Sequence, residues 1–234
     1  MNRVGENIWT FDGGTVPFFS LPYSTRMTVV RLASGALWVH SPIKLDDALK
    51  VQVDALGEVK YLIAPNSLHH LFVDAWQQSY PDAQTFGTAG VQKKRQDLKF
   101  DGLLTSADDY PWNDEIGQLL FTGSPAMEEC VFFHRPTRTL IVTDLVENFA
   151  PQAFKQWQRV IAKAVGVLAP NGKMPLDWRL SFMFGKTAAR AHLETILAWQ
   201  PARIIMAHGL IVEEDAVGFL RRSFSWLDLA KESA

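Results

Sequence analysis

Short apolar runs that come in closely spaced pairs constrain this chain most. Met27 to Leu32 and Ala36 to His40 are separated only by Ala33-Ser34-Gly35. Cys130 to His134 and Thr139 to Thr143 flank the four residues Arg135-Pro136-Thr137-Arg138. Links this short between runs rich in Val, Ile and Phe predict two antiparallel hairpins. Val59 to Ala64 reads as a buried strand, His69 to Tyr80 as a helix and Gln84 to Gly87 as a short strand. That order implies a right-handed crossover and a partly parallel sheet. Ile8 to Phe11 predicts a further strand closed by an Asp12-Gly13-Gly14 turn, and Gln118 to Thr122 and Arg203 to Ala207 predict two more. Helices are expected from Asp46 to Leu56, stopped by Gly57, and over Gln152 to Val165, Lys186 to Trp199 and Glu213 to Leu220. Hairpins in both halves with helices around them predict a layered α/β sandwich, not one open doubly wound sheet.

At 234 residues the chain can bury a full core as one domain spanning residues 1–234. Apolar residues make up 47% and charged residues 21%, which excludes a disordered chain. The net charge of −2, with no basic cluster larger than Lys93-Lys94-Arg95, predicts no nucleic-acid partner and no membrane partner. Cys130 is the single cysteine, so neither an internal disulfide nor a Cys-built zinc cluster is possible. Met1 to Asn7 lacks the apolar core of a signal peptide, and a cytoplasmic protein is expected. The partner class left is a small-molecule substrate or ligand.

Candidate chemistry gathers after the buried strands. His69 and His70 follow Val59 to Ala64, Asp144 follows Thr139 to Thr143, and His208 follows Arg203 to Ala207. Loops at strand ends are where a rigid sheet can collect distant residues. Imidazole nitrogens with one carboxylate suit zinc, iron or manganese.

In this arrangement the chain resembles the metallo-β-lactamase fold superfamily. Its members carry a His-x-His-x-Asp-His loop after an early strand, an Asp after a later hairpin, and a final His, often followed by Gly. Here Pro65-Asn66-Ser67-Leu68-His69-His70 stands in the first motif, Asp144 at the Asp, and His208-Gly209 at the last element. The resemblance runs from about Ile8 to Phe219 and implies a four-layer αββα sandwich. It also implies that the first of two metal positions is empty. Pro65 and Ser67 replace two histidines, and none stands near Thr122-Gly123-Ser124-Pro125. His69, His70, Asp144 and His208 remain for one divalent ion. The function implied is a metal-dependent hydrolase-like protein with at most one ion. A metal-free binding or structural protein that keeps the sandwich is the alternative.

Each residue also has a plainer reading. His69 and His70 can simply open a helix, and Asp144 can bond turn amides. His40 is expected to be a buried structural histidine, His134 a surface residue at a strand end, and His192 a helix residue without chemistry. Glu128 and Glu129 are assigned to solvent and Cys130 to the core. The loop from Leu168 to Phe184, with Trp178, Phe182 and Phe184, is read as an insertion at a pocket mouth or subunit contact.

Overall fold

Alternation along the strands decides the layering. The computed structural model describes residues 1–18, 21–107 and 109–228. One sheet runs in the order β1 (Asn2–Gly5), β2 (Ile8–Phe18), β3 (Leu21–Arg31), β4 (Ala36–His40), β5 (Glu58–Ala64), β6 (Gln84–Gly87) and β7 (Gly102–Leu103). Its first four strands pair antiparallel, and β4 to β7 pair parallel. A second sheet holds β8 (Ile116–Phe121), β9 (Glu129–His134), β10 (Thr139–Val142) and β11 (Arg203–Met206), in the order β11-β10-β9-β8. Only β10 and β11 run parallel there. The helices are α1 (Asp47–Asp54), α2 (Val73–Ser79), α3 (Ala89–Lys94), α4 (Gln156–Val165), α5 (Leu176–Ser181), α6 (Lys186–Ala198) and α7 (Ala216–Ser223).

In β4, Leu37 and Val39 pack with Leu49 and Val53 of α1 and Trp76 of α2, whereas Trp38 faces the other way. Trp38 meets Phe132 of β9 there, with Ile141 and Ile205 from the second sheet. On that sheet's far side Val131, Leu140, Val142 and Ile204 pack against Leu193 and Ile196 of α6 and Phe219 of α7. Three apolar layers therefore separate helix, sheet, sheet and helix, which is the expected αββα sandwich. Full burial of each large side chain, such as Trp38 or Phe132, contributes roughly 2–3 kcal/mol. No helix among the described residues is long and apolar enough to cross a membrane.

Four expectations change. Asp12-Gly13-Gly14 is not a turn but an irregularity inside β2, where pairing shifts between Asp12 and Thr15. A side chain at Gly13 would sit 2.4 Å from the Thr25 hydroxyl, so glycine lets the two strands stay together. The helix expected from His69 begins only at Val73, because the Asn66 side chain captures the amides of Leu68 and His69 in a turn. The loop from Leu168 to Phe184 contains α5 and is tied to the body. The Glu147 amide donates to the Lys173 carbonyl at 3.2 Å in an isolated strand-like pairing, and the Ser223 hydroxyl donates to the Gly172 carbonyl at 2.6 Å. The last helix starts at Ala216, where the Asp215 carboxylate caps the Gly218 amide.

Candidate metal centre

The carboxyl-terminal ends of β4, β5, β10 and β11 deliver Ser41, Asn66, Asp144 and His208 to one edge of the sandwich. Asn66 is the hinge between two of these loops. Its Oδ1 accepts the amides of Leu68 and His69 at 2.8 and 3.1 Å. Its Nδ2 donates to Asp144 Oδ2 at 2.7 Å and to the Thr143 hydroxyl at 2.9 Å. The loop after β5 is thereby locked to the loop after β10, and His69 is turned inward.

His69 Nε2 lies 3.2 Å from Asp144 Oδ2 and 3.2 Å from His208 Nε2, while its Nδ1 rests 2.6 Å from the Ser41 hydroxyl. His208 Nε2 lies 3.1 Å from Asp144 Oδ1. On its other side, His208 Nδ1 stands 2.7 Å from the Ser24 carbonyl, an acceptor that requires the hydrogen on Nδ1. Arg26 straps the same loop by donating to the carbonyls of Met206 and Gly209 at 2.9 and 2.7 Å. Gly209 has a positive φ of 104°, and a Cβ there would meet the Asn148 carbonyl oxygen at 2.2 Å. His208 thus needs glycine after it for its loop to pass Asn148.

His69, Asp144 and His208 offer ligand atoms within 4.8 Å of one another. His70, expected as a fourth member, does not join them. Its Nδ1 faces Arg95 Nη1 at 3.1 Å, and its buried Nε2 has no hydrogen-bond partner. Adjacent residues in this turn point apart, so the Asn66 turn that aims His69 at Asp144 sends His70 towards α3.

The donor set fits a metal ion. A neutral His208 carries its hydrogen on Nδ1 and aims the Nε2 lone pair at a carboxylate, which calls for a positive charge between them. Two nitrogens about 2.0 Å from one ion in tetrahedral array are roughly 3.3 Å apart, close to the 3.2 Å between His69 and His208. The hydrogen bond from His208 to the Ser24 carbonyl fixes tautomer and ring orientation, as partners behind metal-binding histidines do.

Around this group lie two acids that were not among the candidate residues. Glu129 is buried completely and accepts amides from Thr143, Asp144 and Leu145 at 2.6, 2.8 and 2.9 Å. Burial and the negative Asp144 push its carboxyl up to about 7. Burial opposes the charge of Asp144 too, but His69 and His208 hold its carboxyl well below the usual range. Burial raises Glu147 to about 8 against the pull of His208, and Tyr23 donates to its Oε2 at 3.3 Å. His208 is raised despite its burial, by Asp144 and Glu147.

The other histidines stay out of the group. His40 is buried and stacked on Trp38 at 5.4 Å, where burial lowers it to about 3. His134 is buried too, not at the surface, and its Nδ1 faces the Thr137 hydroxyl at 2.7 Å. His192 accepts the Thr122 amide at 3.2 Å, a structural contact beside the segment that lacks a histidine. Glu129, expected in solvent, is the largest reversal.

A cavity of about 160 Å³ opens on the three residues. Val16, Ile43, Leu68 and Phe72 give it apolar walls, Glu147 and Tyr23 face it near His208, and Lys94 and Trp178 stand on its lining. Trp178 places the loop from Leu168 to Phe184 at the pocket, as one reading of that loop expected.

The chain shares its architecture with solved metallo-β-lactamases. DIM-1 metallo-β-lactamase exposed to ceftazidime superposes with a TM-score of 0.66 at 12% identity, over 98% of this chain and 96% of that one. FIM-1 from Pseudomonas aeruginosa in its mono-zinc form gives 0.66 at 7% identity, over 97% and 93%. A metallo-β-lactamase from Hirschia baltica gives 0.63 at 12% identity, over 98% and 97%. Identities this low show the fold alone. No curated protein matches the sequence. A family described as Domain of unknown function (DUF4336) matches residues 5–166. The chain therefore belongs to the DUF4336 family and has the metallo-β-lactamase fold.

Proposed function

We propose that the chain is a metal-dependent, hydrolase-like protein that binds one divalent ion, zinc, iron or manganese, and acts on a small molecule in the adjoining cavity. The observation that carries this reading is the convergence of three ligand atoms, with the His208 tautomer set from behind by the Ser24 carbonyl. Three protein ligands, not four, leave a coordination position open, the pattern of a catalytic site. That a protein of the same fold, FIM-1, is described in a mono-zinc form supports a one-ion reading.

A bound ion would supply Lewis acidity towards a carbonyl or phosphoryl oxygen and acidify a water near neutral pH. The chain's own groups do the rest. Asn66 and Glu129 hold the loop that carries Asp144. Ser41 holds the His69 ring, and the apolar walls orient the substrate and exclude water. Glu147 stands on the cavity wall with its carboxyl pushed up by burial, placed to give a proton to a leaving group. Without a second ion to clamp attacking and leaving oxygens, hydrolysis of lactams and thioesters should be weak.

The test is a panel of small esters, phosphoesters, thioesters and lactams offered with zinc, iron and manganese in turn. Metal-dependent turnover that is lost in both His208→Ala and Asp144→Asn supports the reading. Turnover that survives a chelator and both substitutions refutes it. A second reading, a metal-free binding protein, rests on the 3.1 Å contact between His208 Nε2 and Asp144, which a proton on His208 Nε2 would satisfy without metal. It predicts small-molecule binding that metal does not change.

A further inference from the structure

The helix α4 is inside out. It buries Gln158 and Ala162 and turns Trp157, Val160 and Ile161 to solvent, with Trp157 56% exposed. At helical spacing the three form one stripe. The next helix, α5, continues it with Leu176, Leu180 and Met183, and Phe184 just beyond is 98% exposed. The two elements touch, since Arg179 of α5 donates to the Val165 carbonyl at the end of α4 at 3.0 Å. An exposed apolar area of this kind on consecutive elements marks a surface built to be covered.

Charge identifies the cover. Residues 151–190 hold seven Lys and Arg side chains against one carboxylate, Asp177, a formal +6. The rest of the chain therefore carries −8 of the overall −2. Arg159 and Lys163 lie on the side of α4 away from its buried edge and flank the apolar stripe. A near-neutral total had suggested no membrane partner, and the segregation of the charge is what the total conceals.

We propose that the α4–α5 face docks the protein on an anionic lipid surface. Trp157, Phe184 and the aliphatic residues enter the headgroup boundary while the basic side chains meet lipid phosphates, the composition of an interfacial element. A second copy of the chain is the weaker occupant, because apposing two such faces would set Lys163 and its basic neighbours against their own copies. Trp178, on α5 between the exposed Leu176 and Leu180, lines the cavity, so the pocket lies beside the docked face.

Co-sedimentation with vesicles of phosphatidylcholine, alone or mixed with phosphatidylglycerol, tests this on the whole chain. Binding to the mixed vesicles only, weakened by salt, is expected. The double variant Trp157→Ser with Phe184→Ser should lower it at least about tenfold, and so should Lys163→Glu with Lys186→Glu. All four side chains are exposed, so thermal melting of each variant should match the parent. Absence of binding to the anionic vesicles, or equal binding by parent and variants, overturns the proposal. A dimer in sedimentation velocity that the Trp157/Phe184 variant dissolves, without vesicle binding, overturns it in favour of a second copy.

Discussion

Replacing Glu129 with Gln should destabilise the protein nearly as much as replacing it with Ala. One carboxylate oxygen accepts the Thr143 amide, and the other accepts the amides of Asp144 and Leu145 and an Asn66 hydrogen. Every approach to this side chain comes from a donor. An amide in its place must aim an NH2 at one of the two donor sets, leaving one or two buried amides unpaired. Each buried amide without an acceptor costs about 1–3 kcal/mol. Ala strands three, although water entering the space recovers part, and removing a carboxyl raised to about 7 relieves some of its burial cost at pH 7. A loss of roughly 2–4 kcal/mol is expected for either variant. In a chain of this size that is a fall in Tm of about 5–15 °C. Urea unfolding at pH 7 with a chelator present measures it free of metal. A Gln variant within about 0.5 kcal/mol of the parent would refute the all-donor surrounding of Glu129.

Three further outcomes follow from the same geometry. Gly209→Ala should cost about 3 kcal/mol and loosen metal binding, because the new methyl meets the immovable Asn148 carbonyl at a positive φ; near-parental melting would contradict this. Stability in chelator should rise from acid pH to a maximum near about pH 6–6.5, where the protons the buried histidines gain on unfolding balance those the two buried glutamates lose. His40, His70 and His134 are buried neutral, with values lowered by burial to about 3, 4 and 4, so the unfolded chain binds protons first and stability falls as pH drops below 6.5. Glu129 and Glu147, raised to about 7 and 8, hold protons that the unfolded chain releases near 4.5, so stability falls as pH rises towards 8; a steady rise from pH 6.5 to 8.5 in urea unfolding would contradict this. Glu147→Gln should lower turnover on substrates with poor leaving groups by about 10²-fold or more and leave metal content unchanged, as parallel kinetics and elemental analysis would show.

Much of the layering was legible because strands of two faces alternate, and Leu37, Trp38 and Val39 sort themselves without knowledge of their partners. The placement of Asp144 and His208 at strand ends was legible for the same reason. What escaped was direction within turns. His69 and His70 are adjacent, and only the Asn66 side chain, bonding forward to two amides and across to Asp144, decides which one faces the group. Glu129 escaped because a Glu-Glu pair before a strand reads as solvated. A signal was present: the turn from Arg135 to Arg138 pairs His134 with Thr139 and Phe132 with Ile141. Carried outward, that register sets Glu129 opposite Asp144. Glu147 and Tyr23 left no such trace, since their meeting depends on how the loop after β10 crosses β3. The swapped faces of α4 carried a different lesson: its apolar spacing is helical, but nothing in the spacing says that the apolar side points out.

The most direct test of the central claim is the metal content of the whole chain, titrated with zinc, iron and manganese and counted by elemental analysis. Three convergent ligand atoms predict close to one ion per chain, lost in His208→Ala and in His69→Ala but retained in His70→Ala, whose ring faces Arg95. Two ions per chain, or one ion that depends on His70 and not on His69, would contradict the account.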